Sequence, residues 1–291
     1  MTNKLSLFAL IIACLALWVA ETHKGGEAAQ TKKETAFERV MRTRSLSCSY
    51  APLSPFLTID PASGQIGGLM REVMEEVGRR LDIKVKWAEE VGYGQISTGF
   101  ATGRYDAFCG VLYATPARGG AMTFSRPIYY NKVHPCVREN TTEYDHSVET
   151  LNAPDKTFIA YDGDISMRVA QTLFPKAKIL ALSENTPFGE AMQNILTKKA
   201  DSLATCDQII VNDLNKANPG FLKIADPDHP ITTIQVALGL PLQDEALKNM
   251  IDLALFDMQA DGTMTRLATR YVGAERMKDT IVIPSVSKGE K

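Results

Sequence analysis

The chain has 291 residues, of which 45% are hydrophobic and 23% charged, the ordinary range for a globular protein. This length allows one large hydrophobic core or two smaller ones. The formal net charge of −2 gives no basic field, so the composition argues against a nucleic-acid-binding protein and against a polybasic membrane-surface protein.

The first 30 residues are predicted to be a signal peptide. Lys4 precedes the apolar run 5–20, and a polar stretch rich in small residues follows at 21–30. The apolar run is short for a membrane-spanning helix, whereas this layout is typical of an export signal. We therefore expect the mature protein in the periplasm. The cleavage site stays open, as does an alternative in which Cys14 is lipidated and anchors the protein to the membrane.

Strands and helices alternate along the first half of the mature chain. Apolar residues recur at helical spacing from Leu69 to Leu81, directly after a glycine pair, and Gly103 ends a shorter helix. The predicted elements are a helical lead-in at 31–45, strands at 46–50, 83–87 and 107–113, a helix at 69–81, and a short helix that follows Gly94 and ends at Gly103.

The same alternation returns after residue 156, which predicts an α/β protein with two lobes and largely parallel sheets. The predicted elements are strands at 157–161, 177–182 and 201–205, helices at 167–173, 186–197 and 208–214, and a helix pair at 246–271. The β-rich stretches 132–137 and 231–238 are expected to cross between the lobes. The predicted boundaries are 35–133 plus 235–275 for lobe 1, 134–234 for lobe 2 and 276–291 for a polar tail.

The segment 103–118 carries the most informative local signal. An apolar strand follows Asp106, and the turn Thr115-Pro116-Ala117-Arg118 places an arginine at the strand's end. Ligand sites in open α/β sheets lie outside the carboxyl ends of strands. The planar fork of a guanidinium suits a carboxylate, which makes Arg118 a candidate ligand anchor. The alternative is a surface arginine paired with a neighbouring acid.

The sequence predicts no metal site, no cofactor and no catalytic constellation. The histidines are scattered, no Cys-x-x-Cys pair exists, and the motifs Gly-x-Ser-x-Gly, Gly-x-x-x-x-Gly-Lys and His-Glu-x-x-His are missing. Beyond the signal peptide the cysteines are Cys48, Cys109, Cys136 and Cys206. We expect free buried thiols, with a Cys48–Cys109 bridge between adjacent strands as the alternative.

In order and spacing, several short motifs across residues 35–275 together resemble the extracytoplasmic solute-binding proteins of family 3, the polar amino-acid-binding type. The motifs are Gly67-Gly68, Trp87, Gly103-x-x-Asp106, Thr115-x-x-Arg118, Phe124-Ser125-x-Pro127-x-Tyr129, Lys198-Lys-Ala-Asp201 and Asp261-Gly-Thr263. The resemblance implies the two-lobed type II periplasmic binding protein fold, with two crossover hinge segments. It also implies a monomeric, non-enzymatic protein that captures an amino acid or similar small carboxylate between its lobes and delivers it to a membrane ABC permease.

The resemblance further assigns ligand-binding residues on both lobes. It implies that Arg118 binds the ligand's carboxylate, with Tyr113 and Thr115 on the same wall and Tyr93 packed against the ligand; a plain core aromatic is the alternative for Tyr93. The remaining contacts it implies are Leu53 and Phe56 on the first lobe, and Gly163, Asp164 and Ile165 at a helix N-terminus on the second, where free N–H groups favour an anion.

Two positions depart from the family pattern. Cys206 stands where the family has an aspartate for the ligand's ammonium group, and Asp207 follows it. We favour Asp207 in the cleft; the alternatives are a missing ammonium contact and a helix N-cap role for Asp207. Asp164 stands where a small hydroxyl residue is common, and an inward-facing acid there indicates a ligand with more positive charge or without the usual zwitterion.

Two other functions stay open at this point. Cyclohexadienyl or arogenate dehydratases look similar across this fold and need only a cleft carboxyl as general acid, a role available to Asp164 or Asp207. A sensory module that presents its closed form to a membrane receptor predicts the same binding with a different partner.

Overall fold

The computed structural model describes residues 34–274, Met277 and residues 281–284. The predicted signal peptide and Cys14 lie outside these residues, as does most of the predicted tail. The described residues from Thr35 onward belong to one compact unit. Within the described ranges, no helix combines the length and the apolar character that a membrane crossing requires.

The elements follow the predicted alternation. The helices are α1 (Ala36–Thr43), α2 (Leu69–Leu81), α3 (Ile96–Thr102), α4 (Pro116–Gly119), α5 (Ile165–Leu173), α6 (Phe188–Leu196), α7 (Gln208–Ala217), α8 (Glu245–Ala260) and α9 (Thr263–Val272). The strands are β1 (Ser45–Tyr50), β2 (Thr58–Ile59), β3 (Ile66–Gly67), β4 (Lys84–Glu90), β5 (Ala107–Phe108), β6 (Met122–Phe124), β7 (Tyr129–Arg138), β8 (Thr157–Tyr161), β9 (Lys178–Leu182), β10 (Ser202–Cys206), β11 (Leu222–Ile224), β12 (Thr232–Val236), β13 (Gly239–Pro241) and β14 (Ile281–Val282).

The first sheet has the strand order β4-β1-β5-β13-β6. β1 pairs in parallel with β4 and with β5, whereas β13 returns late in the chain and pairs antiparallel with β5 and β6. Strands from both ends of the described chain therefore build one sheet.

The second sheet has the order β11-β7-β10-β8-β9, and β12 and β14 also pair with β7. β7 pairs with β12 along residues 129–133 and with β10 and β11 further on. The predicted crossover stretches are therefore strands that pair antiparallel with each other. β14 lies within the stretch predicted to be a tail, where it pairs with Tyr130 and Asn131 of β7.

Helix α2 covers the first sheet because its apolar residues recur on one face. Leu69, Val73 and Val77 are completely buried there, and side chains of α8 and α9 share the same core. Gly68 precedes the helix at a φ of +97°, and a Cβ at this position would lie 2.4 Å from the carbonyl oxygen of Phe56. Only glycine fits this entry to the helix.

The strand predicted at 107–113 is shorter in the structure. Only Ala107–Phe108 form a strand, although the Cys109 amide still donates to the Ser49 carbonyl at 2.8 Å. The chain then leaves the sheet edge and makes an isolated bridge between Tyr113 and Val236. This departure carries residues 111–118 away from the sheet and toward the second half of the protein.

The expectation of free thiols is wrong. Cys48 of β1 is bonded to Cys109, and Cys136 of β7 is bonded to Cys206 of β10. The second bridge follows from the strand pairing, because β7 and β10 lie side by side and bring these Cα atoms within 5.7 Å. Each half of the protein thus contains one covalent cross-link.

We expect the Cys136–Cys206 bridge to be a large contributor to stability. It closes a span of 70 residues, and chain-entropy reasoning for such a loop gives about 4 kcal/mol. The double variant Cys136→Ala/Cys206→Ala should therefore lose about this much free energy of unfolding in chemical denaturation. Reductant should lower the free energy of unfolding of the wild type by more than that of the variant, because the variant has only the Cys48–Cys109 bridge left to lose. A variant as stable as the oxidised wild type would contradict this expectation.

Candidate functional site

A cavity of about 590 Å³ lies between the residues that follow the first sheet and those that follow the second. The first side is formed by the loop after β1, residues 90–93 and the segment that ends in α4. The second side is formed by the ends of β8 and β10, the turn after β9 and the start of α7. The cavity therefore lies at the strand ends, where open α/β sheets place their ligands.

Most of the lining is apolar or aromatic, as is usual for a small-molecule site. The apolar side chains include Leu53, Val91, Val111, Leu203 and Ile210, and the aromatic ones are Tyr93, Tyr113, Tyr161 and Phe188. The charged lining residues are Glu90, Arg118, Asp164 and Glu184. The described lining thus contains three carboxylates and one guanidinium.

Arg118 is positioned by the turn that precedes it. Thr115 is the N-cap of α4, and its hydroxyl accepts from the Arg118 amide at 3.3 Å. Proline at the first position of the helix fits because its missing N–H needs no partner there. The side chain points into the cavity with only 8% of its surface exposed, and its guanidinium lies 5.7 Å from the centroid of the Tyr93 ring.

The guanidinium of Arg118 is held by acids from the other side of the cavity. Its Nη2 donates to Glu184 Oε1 at 3.0 Å, and its Nη1 lies 3.3 Å from Asp164 Oδ2. Nη1 also donates to the Tyr113 carbonyl at 3.1 Å. The carboxylates are largely buried, with side-chain exposures of 16% for Asp164 and 20% for Glu184. Ion pairs with this little solvent are weakly screened.

Asp164 is oriented by the helix that it caps. Its Oδ1 accepts from the Ser166 amide at 2.9 Å as the N-cap of α5, which leaves Oδ2 to face Arg118. Gly163 precedes it at a φ of +72°, and a Cβ on Gly163 would lie 2.9 Å from Glu184 Oε1. A side chain at this glycine would therefore meet the carboxylate that Arg118 binds.

Sequence reasoning missed two charged residues of the described lining, Glu90 and Glu184. Glu184 stands two residues after the end of β9, in the turn before α6. β9 runs parallel to β8, so the ends of both strands meet at the same edge. An acid directly after a predicted strand was the available signal, the same one that singled out Arg118.

The structure brings some of the predicted site residues together in the lining of this cavity and leaves others out of it. Leu53, Tyr93, Tyr113, Arg118 and Asp164 line it. Phe56, Thr115, Gly163, Ile165 and Asp207 are outside this lining. Phe56 stacks on Tyr129 in the core with centroids 5.7 Å apart, and Ile165 packs in the core of the second sheet.

Tyr93 and Tyr113 are fixed by hydrogen bonds at their hydroxyl groups. Tyr93 donates to the Val111 carbonyl at 3.1 Å, and Tyr113 accepts from Asn131 Nδ2 at 3.0 Å. Burial raises the pKa of Tyr93 to about 12, and burial together with the charge of Asp207 raises the pKa of Tyr113. Both rings therefore present neutral hydroxyls at physiological pH.

Asp207 has the N-cap geometry that was one of its predicted alternatives. Its Oδ1 accepts from the Ile210 amide at 2.8 Å, and its Oδ2 accepts from Asn131 Nδ2 at 3.0 Å. Only 1% of the residue is exposed, and burial raises the pKa of its carboxyl. Cys206 is bonded to Cys136.

No group of three or more potential metal ligands occurs among the residues that the structure describes.

We expect Arg118 and Glu184 to be energetically coupled. Arg118→Gln leaves two buried carboxylates without their cation, which should cost about 3 kcal/mol of unfolding free energy. In a Glu184→Gln background the same change should cost less, by about 1 kcal/mol or more. Chemical denaturation of the four proteins in this double-mutant cycle measures the coupling.

The exposed pair Arg44–Asp82, 2.6 Å apart, provides the control for this cycle. Arg44→Gln and Asp82→Asn should couple by no more than about 0.5 kcal/mol. Equal coupling in the two cycles would show that the Arg118 pair behaves as an ordinary surface ion pair.

Asp207 should make stability depend on pH. Its pKa is raised from 3.8 in the folded state, so the folded protein holds a proton that the unfolded chain releases. The free energy of unfolding contributed by this group therefore falls as pH rises from the ordinary value to the raised one, and stays low above it. Asp207→Asn removes this dependence, because the asparagine side chain does not titrate. The variant should still fold, since asparagine also caps helices and its amide can donate to Asn131 Oδ1, which has no partner among the described residues.

Urea denaturation between about pH 4 and pH 7 measures this effect. The stability of Asp207→Asn relative to wild type should increase with pH across the range. The variant Asp155→Asn, at an exposed position, should follow the wild-type profile. Parallel profiles for Asp207→Asn and wild type would refute the role assigned to the buried carboxyl.

Comparison with known proteins identifies the family of this chain. Residues 47–274 match the family model of bacterial extracellular solute-binding proteins, family 3. A probable amino-acid-binding protein, YxeM of Bacillus subtilis, is 24% identical over 211 residues, which cover 72% of this chain and 77% of the relative.

Two solved structures show the same fold. The ancestral amino acid-binding protein AncCDT-1, a precursor of cyclohexadienyl dehydratase, aligns with a TM-score of 0.67 and 23% identity, covering 81% of this chain and 99% of that one. A putative L-cystine ABC transporter from Listeria monocytogenes aligns with a TM-score of 0.65 and 17% identity, covering 81% and 99%. The fold is therefore the two-lobed type II periplasmic binding protein fold with two crossover segments. By the match across most of its length, the chain belongs to the family 3 bacterial extracellular solute-binding proteins.

Proposed function

We propose that this protein captures an amino acid, or a close relative that shares its amine and side chain, in the cavity between the lobes and delivers it to a membrane ABC permease. The observation that carries the proposal is that residues of both lobes line one cavity of about 590 Å³. This volume suits a small molecule. The names of YxeM and of the Listeria protein support an amino-acid-type solute and an ABC transporter.

Capture in such a site depends on closure about the crossover strands. β7 and β12 pair side by side along residues 129–133, and the cavity lining comes from both sides of this pair. A solute that contacts both lobes binds the closed form more tightly than the open one, so binding drives closure by hinge motion. The closed form is then the form that a permease recognises.

The proposed location is the periplasm. The family is extracellular, and the sequence of the first 30 residues has the layout of an export signal. Cys14 provides an alternative route, in which a lipid anchors the exported protein to the membrane.

The arrangement of the acids supports binding over turnover. A dehydratase needs a carboxyl that donates a proton to a group in the cavity. Asp164 accepts a hydrogen bond from Ser166 and pairs with Arg118, and Asp207 lies behind the lining with both oxygens accepting hydrogen bonds. Neither carboxyl has a free proton-donor geometry toward the cavity.

A thermal-shift screen with amino acids, their decarboxylated amines and small carboxylates tests the function. A solute at a hundred times its Kd stabilises the folded state by about 2.7 kcal/mol, which should raise Tm by roughly 5–10 °C. Chromatography of the solute after incubation should show no product.

A cavity-filling variant distinguishes binding in the proposed site from binding elsewhere on the protein. Thr205 lines the cavity, so Thr205→Trp should abolish the shift. Thr142→Trp, at an exposed position of the second lobe, is the matched control and should keep it. A panel without any stabilising solute, an equal shift in Thr205→Trp, or product formation would overturn the proposal.

A further inference from the structure

The cavity contains a cation whose anionic partners are already part of the protein. The guanidinium of Arg118 faces the carboxylate of Glu184 through Nη2 and the carboxylate of Asp164 through Nη1. Its remaining contacts are the Tyr113 carbonyl and the Tyr93 ring. The donor fork that would grip a ligand carboxylate is therefore directed at acids of the second lobe.

Asp164 is held in place independently of Arg118, because it is the N-cap of α5. Glu184 accepts from Arg118 Nη2 at 3.0 Å, and it lies beside Gly163, where a Cβ would come within 2.9 Å of its Oε1. A ligand carboxylate that replaced them on Arg118 would leave two largely buried carboxylates beside a third. Such like-charge juxtaposition disfavours the binding of an anionic group.

The rest of the lining also favours a cation with an apolar body. Glu90 adds a third carboxylate, and Arg118 is the only cationic side chain among the described lining residues. The Tyr161 hydroxyl is buried at the lining and has no hydrogen-bond partner among the described residues. A phenol oxygen can accept from an ammonium N–H, and aromatic rings attract cations.

We propose that Asp164 and Glu184 take the place of a ligand carboxylate on Arg118, so that the cavity selects a small organic amine without a carboxylate. The ammonium group of the amine lies against Glu184 and Tyr161, and the apolar part of the amine packs among the aliphatic and aromatic lining residues. This inference rests on the proposed function and narrows its solute class. It makes Glu184 and Asp164 specificity-determining residues.

Matched pairs of amino acid and decarboxylated amine test the inference, because the members of each pair differ only in the carboxylate. Suitable pairs are arginine and agmatine, tyrosine and tyramine, phenylalanine and phenethylamine, and leucine and isoamylamine. Calorimetric titration of the exported protein should give, for the pair that binds, an amine Kd lower than the amino acid Kd by about tenfold or more.

Variants of the acids should reverse this preference. Glu184→Gln and Asp164→Asn each free part of the Arg118 fork, and asparagine preserves the helix cap. Either variant should shift the Kd ratio toward the amino acid by about tenfold. Asp155→Asn removes the same charge at an exposed position of the second lobe and should leave the ratio unchanged. Circular dichroism and Tm identify a variant that fails to fold, and the other variant then provides the test.

The possible outcomes distinguish a failure of this inference from a failure of the proposed function. Amino acids that bind the wild type as tightly as their amines overturn the inference and leave solute capture standing. Amines that bind more tightly, with a ratio that Glu184→Gln and Asp164→Asn leave unchanged, also overturn the role of these acids. Failure of every amino acid and amine to bind overturns both.

Discussion

The ion pairs of Arg118 with Asp164 and Glu184 are the interaction on which the site depends. A buried guanidinium is stable only beside anions and hydrogen-bond acceptors. Here both carboxylates follow strands of the second sheet, whereas Arg118 follows a strand of the first. The surrounding structure serves this contact. Thr115 caps the turn that holds Arg118, and α5 leaves one oxygen of Asp164 free.

The charge of the cavity follows from the same pairs. With Arg118 neutralised from within the protein, the carboxylates dominate the described lining, and the aliphatic and aromatic side chains supply the remaining surface. Family membership alone leads to the expectation of a carboxylate ligand. The fold is shared, but specificity resides in individual side chains of the site, and two acids are enough to change the class of solute that the cavity favours.

Local sequence signals predicted the α/β alternation, the crossover stretches and the place of Arg118, because strand ends and helix caps are specified by neighbouring residues. Glu184 was missed because its role depends on the parallel pairing of β9 with β8. The Cys136–Cys206 bridge was missed for a similar reason, since it depends on the contact of β7 with β10. Asp207 stood at a strand–helix junction, where a cap and a ligand-facing acid have the same local sequence. Only its burial and its bond with Asn131 distinguish them.

A crystal structure of the protein with its tightest-binding solute would show which anion the Arg118 guanidinium binds. We expect Arg118 to keep both Asp164 and Glu184 within hydrogen-bond or ion-pair distance, and the ammonium group of the solute to contact Glu184 and Tyr161. A solute carboxylate seated on Arg118, with Asp164 and Glu184 turned away, would contradict this expectation.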